Sequence, residues 1–207
     1  MTRRLTSFTR RIASLTVLSS AVVLAAVAAC AEPLKLSIDA QHSTVGFRVR
    51  HLVTKVNGQF RSFEGSIDFD HQNPAASKVV VTIQAASIDT NVEARDKDLR
   101  SARFFDVAKH PTLTFASTGV ADVVGAKGRI KGILTMHGVS REVALDAEFL
   151  GSGKDPWGNQ RYGFHAATKI NRKDFGMAWN EAVEAGGLLV GDDVEIVLDV
   201  EAVPAAR

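Results

Sequence analysis

Six histidines are the first residues of this chain that could do chemistry: His42, His51, His71, His110, His137 and His165. None stands at H-x-H or H-x-x-x-H spacing, which would bring two imidazoles onto one face to share a metal, so no metal centre is expected. His42 stands beside Asp39 and Ser43 ahead of an apolar run and suits a bond to a turn, while His110 is held extended by Pro111. Nucleophilic catalysis needs an activated Ser or Cys with a base, yet no G-x-S-x-G occurs and the single cysteine, Cys30, lies in an N-terminal apolar segment. The acid pairs Asp96/Asp98 and Asp192/Asp193 sit among charges or turn residues and read as solvated surface. No catalytic residue is expected, and the chain does not read as an enzyme.

One polar group calls for a ligand reading. Arg172 and Lys173, followed by Asp174 and Phe175, place a cationic pair beside an aromatic ring, with Trp179 close behind. At the mouth of a pore such a group would contact a phosphate or quinone head group; on a loop it would be solvated, its charges paired with one another. Trp157 and Trp179 fall in loops, where an indole gates a pore, touches a membrane interface or pins the loop. Gly186, Gly187 and Gly191 flank Leu188, Leu189 and Val190, which suits a tight reversal; no helix follows them to bind phosphate.

The N-terminus sets the compartment. Arg3, Arg4, Arg10 and Arg11 precede an uncharged stretch from Ile12 to Ala31, the layout of a secretory signal, and its Ala- and Ser-rich centre argues for cleavage over a stable span. Ala29-Cys30-Ala31 fits cleavage after Ala31, while Val27-Ala28-Ala29-Cys30 resembles a lipobox that would make Cys30 an acylated N-terminus. Residues 1–31 are thus expected to be a cleavable signal and residues 32–207 one exported domain, periplasmic and large enough to bury a core without disulfides. Removing four of the 25 basic residues leaves 21 against 23 acids, a net charge of −2 with no concentrated basic patch. Nucleic-acid binding is excluded on that ground.

These residues are positioned by short segments of period-two hydrophobicity broken by Gly, Asn, Asp and Pro, which predicts an all-β antiparallel fold. Val45, Phe47 and Val49 share one parity, as do Phe63, Ile67 and Phe69, then Val79, Val81 and Ile83, then Leu113 and Phe115. Further strands are expected around Ile130 to Met136, Val143 to Phe149, Tyr162 to Ile170 and Val194 to Val200. Thr90-Asn91-Val92-Glu93 reads as a capping box that starts one short helix through Arg100, placed to cover an end of the fold. Asn171 to Gly187 reads as a long ordered loop. Eight such strands close most simply into a barrel, with a two-sheet sandwich as the competitor; the interior is either filled by side chains or holds one slender ligand.

Five blocks resemble the YceI-like family: Asp39 to Phe47, Phe60 to Ile67, Leu99 to Pro111, Ile170 to Gly176 and Gly187 to Asp192. The resemblance implies an extended, eight-stranded antiparallel, lipocalin-like barrel capped by one short helix, holding an isoprenoid lipid or quinone and needing no other cofactor. Strand parity gives an inward set of Phe47, Val49, Phe63, Ile67, Phe69, Val81, Ile83, Phe115, Leu145 and Phe164 that suits such a ligand, with Arg172, Lys173, Phe175 and Trp179 expected at the mouth. Membrane-surface contact and a homodimer are compatible with such a carrier. A hydrolase or isomerase acting on an amphipath, and a filled barrel working through surface partners, are the competing functions.

Overall fold

The structure is a computed structural model that describes residues 32–182 and 188–206. The expected signal and Cys30 lie outside the described residues. Eleven strands form one antiparallel sheet: β1 (Leu34–Ile38), β2 (Thr44–His51), β3 (Thr54–Phe60), β4 (Phe63–Phe69), β5 (Lys78–Gln84) and β6 (Ile88–Asp89) precede the only α-helix among the described residues, α1 (Glu93–Arg100). After it run β7 (Thr112–Val124), β8 (Lys127–Met136), β9 (Val139–Lys154), β10 (Gln160–Asn171) and β11 (Val190–Pro204).

Eleven strands occupy eight positions of a closed ring, because three positions are filled by kinked strands. β1 and β2 both pair with β11, at Leu36↔Pro204 and Val45↔Leu198. Likewise β4 and β3 run beside β1 and β2, and β5 and β6 run beside β4 and β3. Serine hydroxyls replace the ladder bonds lost at the kinks. Ser43 Oγ donates to the Glu201 carbonyl (3.2 Å) and accepts from the Glu201 N–H (3.0 Å), and Ser87 Oγ accepts from the Ser62 N–H at 3.1 Å. The remaining positions, β7 to β11, are successive antiparallel neighbours, and β11 closes the ring onto β1. Closure leaves the long strands without free edges.

β1, β3 and β6 have little sequence signal: β6 is two residues long, and the β3 sequence TKVNGQF alternates only weakly. The helix is where the pattern places it, but its cap differs. Val92 is the N-cap and makes no side-chain bond to the helix. Asp96, at 3 % exposure, instead reaches back to accept from the Thr90 N–H (2.9 Å) and hydroxyl. Thr90 is too far upstream to cap, so the expected box is replaced by a buried Thr-Asp bridge, and Asp96 is not the solvated acid its charged neighbours suggest. Asp98 does face outward and pairs with Arg103. In the expected loop, a 3₁₀ turn (Arg172–Phe175) ends at Gly176, whose φ of 79° lies in the left-handed region.

Inward residues share a parity along most strands, a bulge between Ser117 and Gly119 shifting it in β7 from Leu113 and Phe115 to Val120, and two rings pack against glycine backbone. A Cβ at Gly58 would fall 2.3 Å from the Phe47 ring, and one at Gly132 would fall 2.5 Å from the Phe115 ring and 2.6 Å from the Ala116 carbonyl. Since the carbonyl cannot rotate away, Gly132→Ala is expected to destabilise the barrel by about 1–3 kcal/mol through overpacking. Urea unfolding at neutral pH reads this as a lowered midpoint with unchanged slope.

Candidate functional site

The lumen contains two adjoining chambers. The one nearer α1 is a cavity of about 180 Å³ lined by Phe47, Val49, Phe63, Val81, Ile83, Phe115 and Leu145. It is closed over by Leu99, Phe104 and Phe105 from α1 and the segment after it. The far chamber, about 250 Å³, is lined by Ile67, Phe69 and Phe164 together with Phe149 and Val120. Ile38, Leu198 and Val200 border both, so they mark a waist in one tube. All ten residues of the inward parity set therefore face these chambers. Sequence reasoning missed Leu99, Phe104, Phe105 and Phe149 as lining; the adjacent phenylalanines after a charged helix were the available signal.

In the far chamber Phe69, Phe149 and Phe164 pack with ring centroids 4.9 to 5.3 Å apart, and His71 sits at the rim, 5.8 Å from the Phe149 ring. At this rim Lys127 pairs with Glu148 at 3.6 Å, and His165 is hydrogen-bonded to Asp199 at 2.8 Å. In the chamber beside α1 the bordering charge is Arg172, and it is fully committed.

Arg172 and Phe175 are not mouth residues. Arg172 is 4 % exposed and donates to the carbonyls of Gly191 (2.9 Å) and Trp179 (2.8 Å), to the Met177 carbonyl and to Asp192 (3.3 Å). Burial lowers its pKa and Asp192 opposes that shift. It is a strut that ties the 3₁₀ turn to the start of β11, and Phe175, at 1 % exposure, belongs to the core. Lys173 is exposed and pairs with Asp192 at 2.9 Å. Sequence could not distinguish this buried guanidinium from a solvated one, because its partners are carbonyls brought there by the fold.

Trp179 does stand at an opening. A cleft of about 800 Å³ lies between the β2–β3 hairpin, α1 and Trp179, and it shares Phe47, Val49, Leu99, Phe104 and Val190 with the chamber beneath. Arg103 stacks 4.8 Å over the indole, and Phe104 packs against it at 5.1 Å. Trp157, by contrast, is 83 % exposed at the turn between β9 and β10.

Asp39, His42 and Glu201 offer ligand atoms within 4.8 Å of one another. Arg161 already occupies their centre, bonding Asp39, Glu201 (3.0 Å) and Asp155 (3.2 Å), so the cluster is an ion-pair network and not an open metal site. His42, bonded to Asp39 at 2.9 Å, and then Arg161 hold the Asp39 carboxyl below its ordinary value; Asn159 and Arg161 do the same for Asp155. This network joins the β1/β2 kink to β10, β11 and the β9–β10 turn.

The YceI-like domain model matches residues 36–202. The chain belongs to this family. A UPF0312 protein of Photorhabdus laumondii is 48 % identical over 158 residues, covering 76 % of this chain and 82 % of that one. Burkholderia cenocepacia BcnA superposes with a TM-score of 0.71 at 23 % identity, covering 79 % of this chain and 98 % of its own. A polyisoprenoid binding domain from Saccharophagus degradans superposes with a TM-score of 0.59 at 17 % identity, covering 83 % and 99 %. Both structures share the YceI lipocalin-like barrel.

Two predictions follow from the struts of this YceI-like barrel. Arg172→Met should cost about 3–4 kcal/mol, since it strands three carbonyls and Asp192; thermal unfolding should show the loss. The second concerns acid. A carboxyl whose native pKa is depressed stabilises the fold above its unfolded value, near 3.9, and that contribution is lost as pH falls through the native value. Stability is therefore expected to decline as pH drops below about 4, and Arg161→Gln should make the decline shallower in urea titrations across that range.

Proposed function

We propose that this protein binds one isoprenoid-type lipid chain in its lumen and acts as a non-catalytic carrier or store of that lipid in the bacterial periplasm, with no further cofactor. The observation that carries the reading is the tube itself: two adjoining apolar chambers that share Ile38, Leu198 and Val200, with the bordering Lys127 and Arg172 each paired to a carboxylate. Hydrocarbon entering such a tube gains about 0.8 kcal/mol per buried methylene, offset in part by lost rotamer freedom. A long chain can thus bind without a specific polar contact. The polyisoprenoid binding domain of Saccharophagus degradans, which shares the barrel, supports this choice of ligand.

A binding role is favoured over catalysis by the placement of the His–carboxylate pairs. His42 with Asp39 belongs to the Arg161 network, and His165 with Asp199 stands at the far rim with both side chains open to solvent.

The test is native mass spectrometry of the protein purified from the cell envelope, followed by organic extraction. One isoprenoid per chain is the expected result, and the same spectrum gives the oligomeric state and the mature N-terminus. Val81→Asp, which puts a carboxylate in the lumen, should abolish uptake of added ubiquinone or polyprenol, whereas Val80→Asp on the neighbouring exposed position should not. A native protein that arrives empty and refuses both lipids would sink the reading in favour of a filled barrel acting through surface partners.

A further inference from the structure

The opening above α1 has features that a sealed lumen does not need. The β2–β3 hairpin turns in two residues, Leu52 and Val53, between the paired His51 and Thr54. Such loops favour Asn or Gly because positive φ is required, yet Leu52 takes φ 50°, an uncommon conformation for a bulky residue. Val53 is 100 % exposed and Leu52 42 %. The strained apolar tip is nonetheless held in place: the Leu52 N–H donates to the Leu189 carbonyl and Arg50 donates to the Leu52 carbonyl, both at 3.0 Å. Across the cleft Val92 is also exposed. Local rules are broken here with no gain to the barrel, which is where function is expected.

Charge distinguishes this end from the other. Among the described residues the cleft is lined by Arg95, Lys97 and Arg103, of which Arg103 is paired with Asp98 and Arg95 donates to Thr90 beside the buried Asp96, so Lys97 is the cation without a carboxylate partner. Nearby Glu93 and Glu195 are paired with Arg100 and Lys55, and Glu181 is exposed beside Leu189. At the far end Val124 and Trp157 are likewise exposed, but there Arg129 faces Asp122 and Asp146, Lys127 faces Glu148 and Arg161 faces Asp155.

We infer that the cleft end docks on an anionic lipid bilayer, with Leu52 and Val53 inserted at headgroup depth and Lys97, with Arg95 beside it, over the lipid phosphates. The cleft then opens directly onto the acyl layer, and its shared walls lead a hydrocarbon chain into the chamber beneath. An apolar tip flanked by cations fits an anionic interface better than a protein partner, which would need a broader apolar patch. The inference rests on the lipid-carrier reading.

Flotation with phosphatidylcholine vesicles, with and without phosphatidylglycerol, tests it. The protein should bind only the anionic vesicles and release them in high salt. Val53→Asp and Lys97→Glu should each weaken that binding, by roughly fivefold or more per charge changed, while Val124→Asp and Trp157→Asp leave it intact. Both cleft variants should still take up ubiquinone presented in detergent, which shows that fold and lumen survive. Equal binding to neutral vesicles, no vesicle binding, or a loss confined to the far-end variants would each overturn the docking surface and leave the carrier reading standing. Failure of the native protein to take up ubiquinone and polyprenol from detergent would instead overturn the carrier reading.

Discussion

The ring closes because β11 is long enough to pair with two strands at once. Its fifteen residues hold β2 along the first part and β1 at the end, so a chain that kinks at residues 39–43 still presents one continuous edge. Every other feature follows from that seam. With the ring closed, the inward parity of each strand faces a common axis, and the glycines opposite Phe47 and Phe115 let rings lie against the wall without blocking the tube. Without it the same strands would form an open, twisted sheet with one greasy face.

Kinked strands cost ladder bonds, and the protein recovers them with short polar side chains and with two arginines. Ser43 and Ser87 bridge the kinks; Arg161 gathers three carboxylates on the flank where β1/β2, β10 and β11 meet. Arg172 gathers carbonyls from the segment leading into β11. Both guanidiniums are multivalent struts, a role for which five donors in a planar fork are well suited and a lysine ammonium is not. The chambers are consequently lined almost wholly by apolar residues, while the charge lies on the flanks and at the rims.

The ends of the tube differ because different elements close them. At one end α1 and the phenylalanines after it fold over the lumen and leave a cleft beside the β2–β3 hairpin. At the other, hairpin tips project with balanced charges around a cluster of three phenylalanine rings. A barrel built from eight similar positions thus acquires a direction.

Which side of most strands is apolar and where a short helix lies were legible in the sequence, because these depend on residues two to four apart. The ten inward residues were legible for that reason. Tertiary structure alone decided that three kinked strands count as one position each, that Asp96 is buried, and that Arg172 is a strut and not a head-group contact. The first depends on partners far away in sequence, such as Ser43 and Glu201, 158 residues apart, and the other two on irregular loop contacts such as Thr90 with Asp96 and Arg172 with Trp179, which no periodic pattern records. Alternation of side chains records a face, but it carries no information about which distant backbone that face will meet.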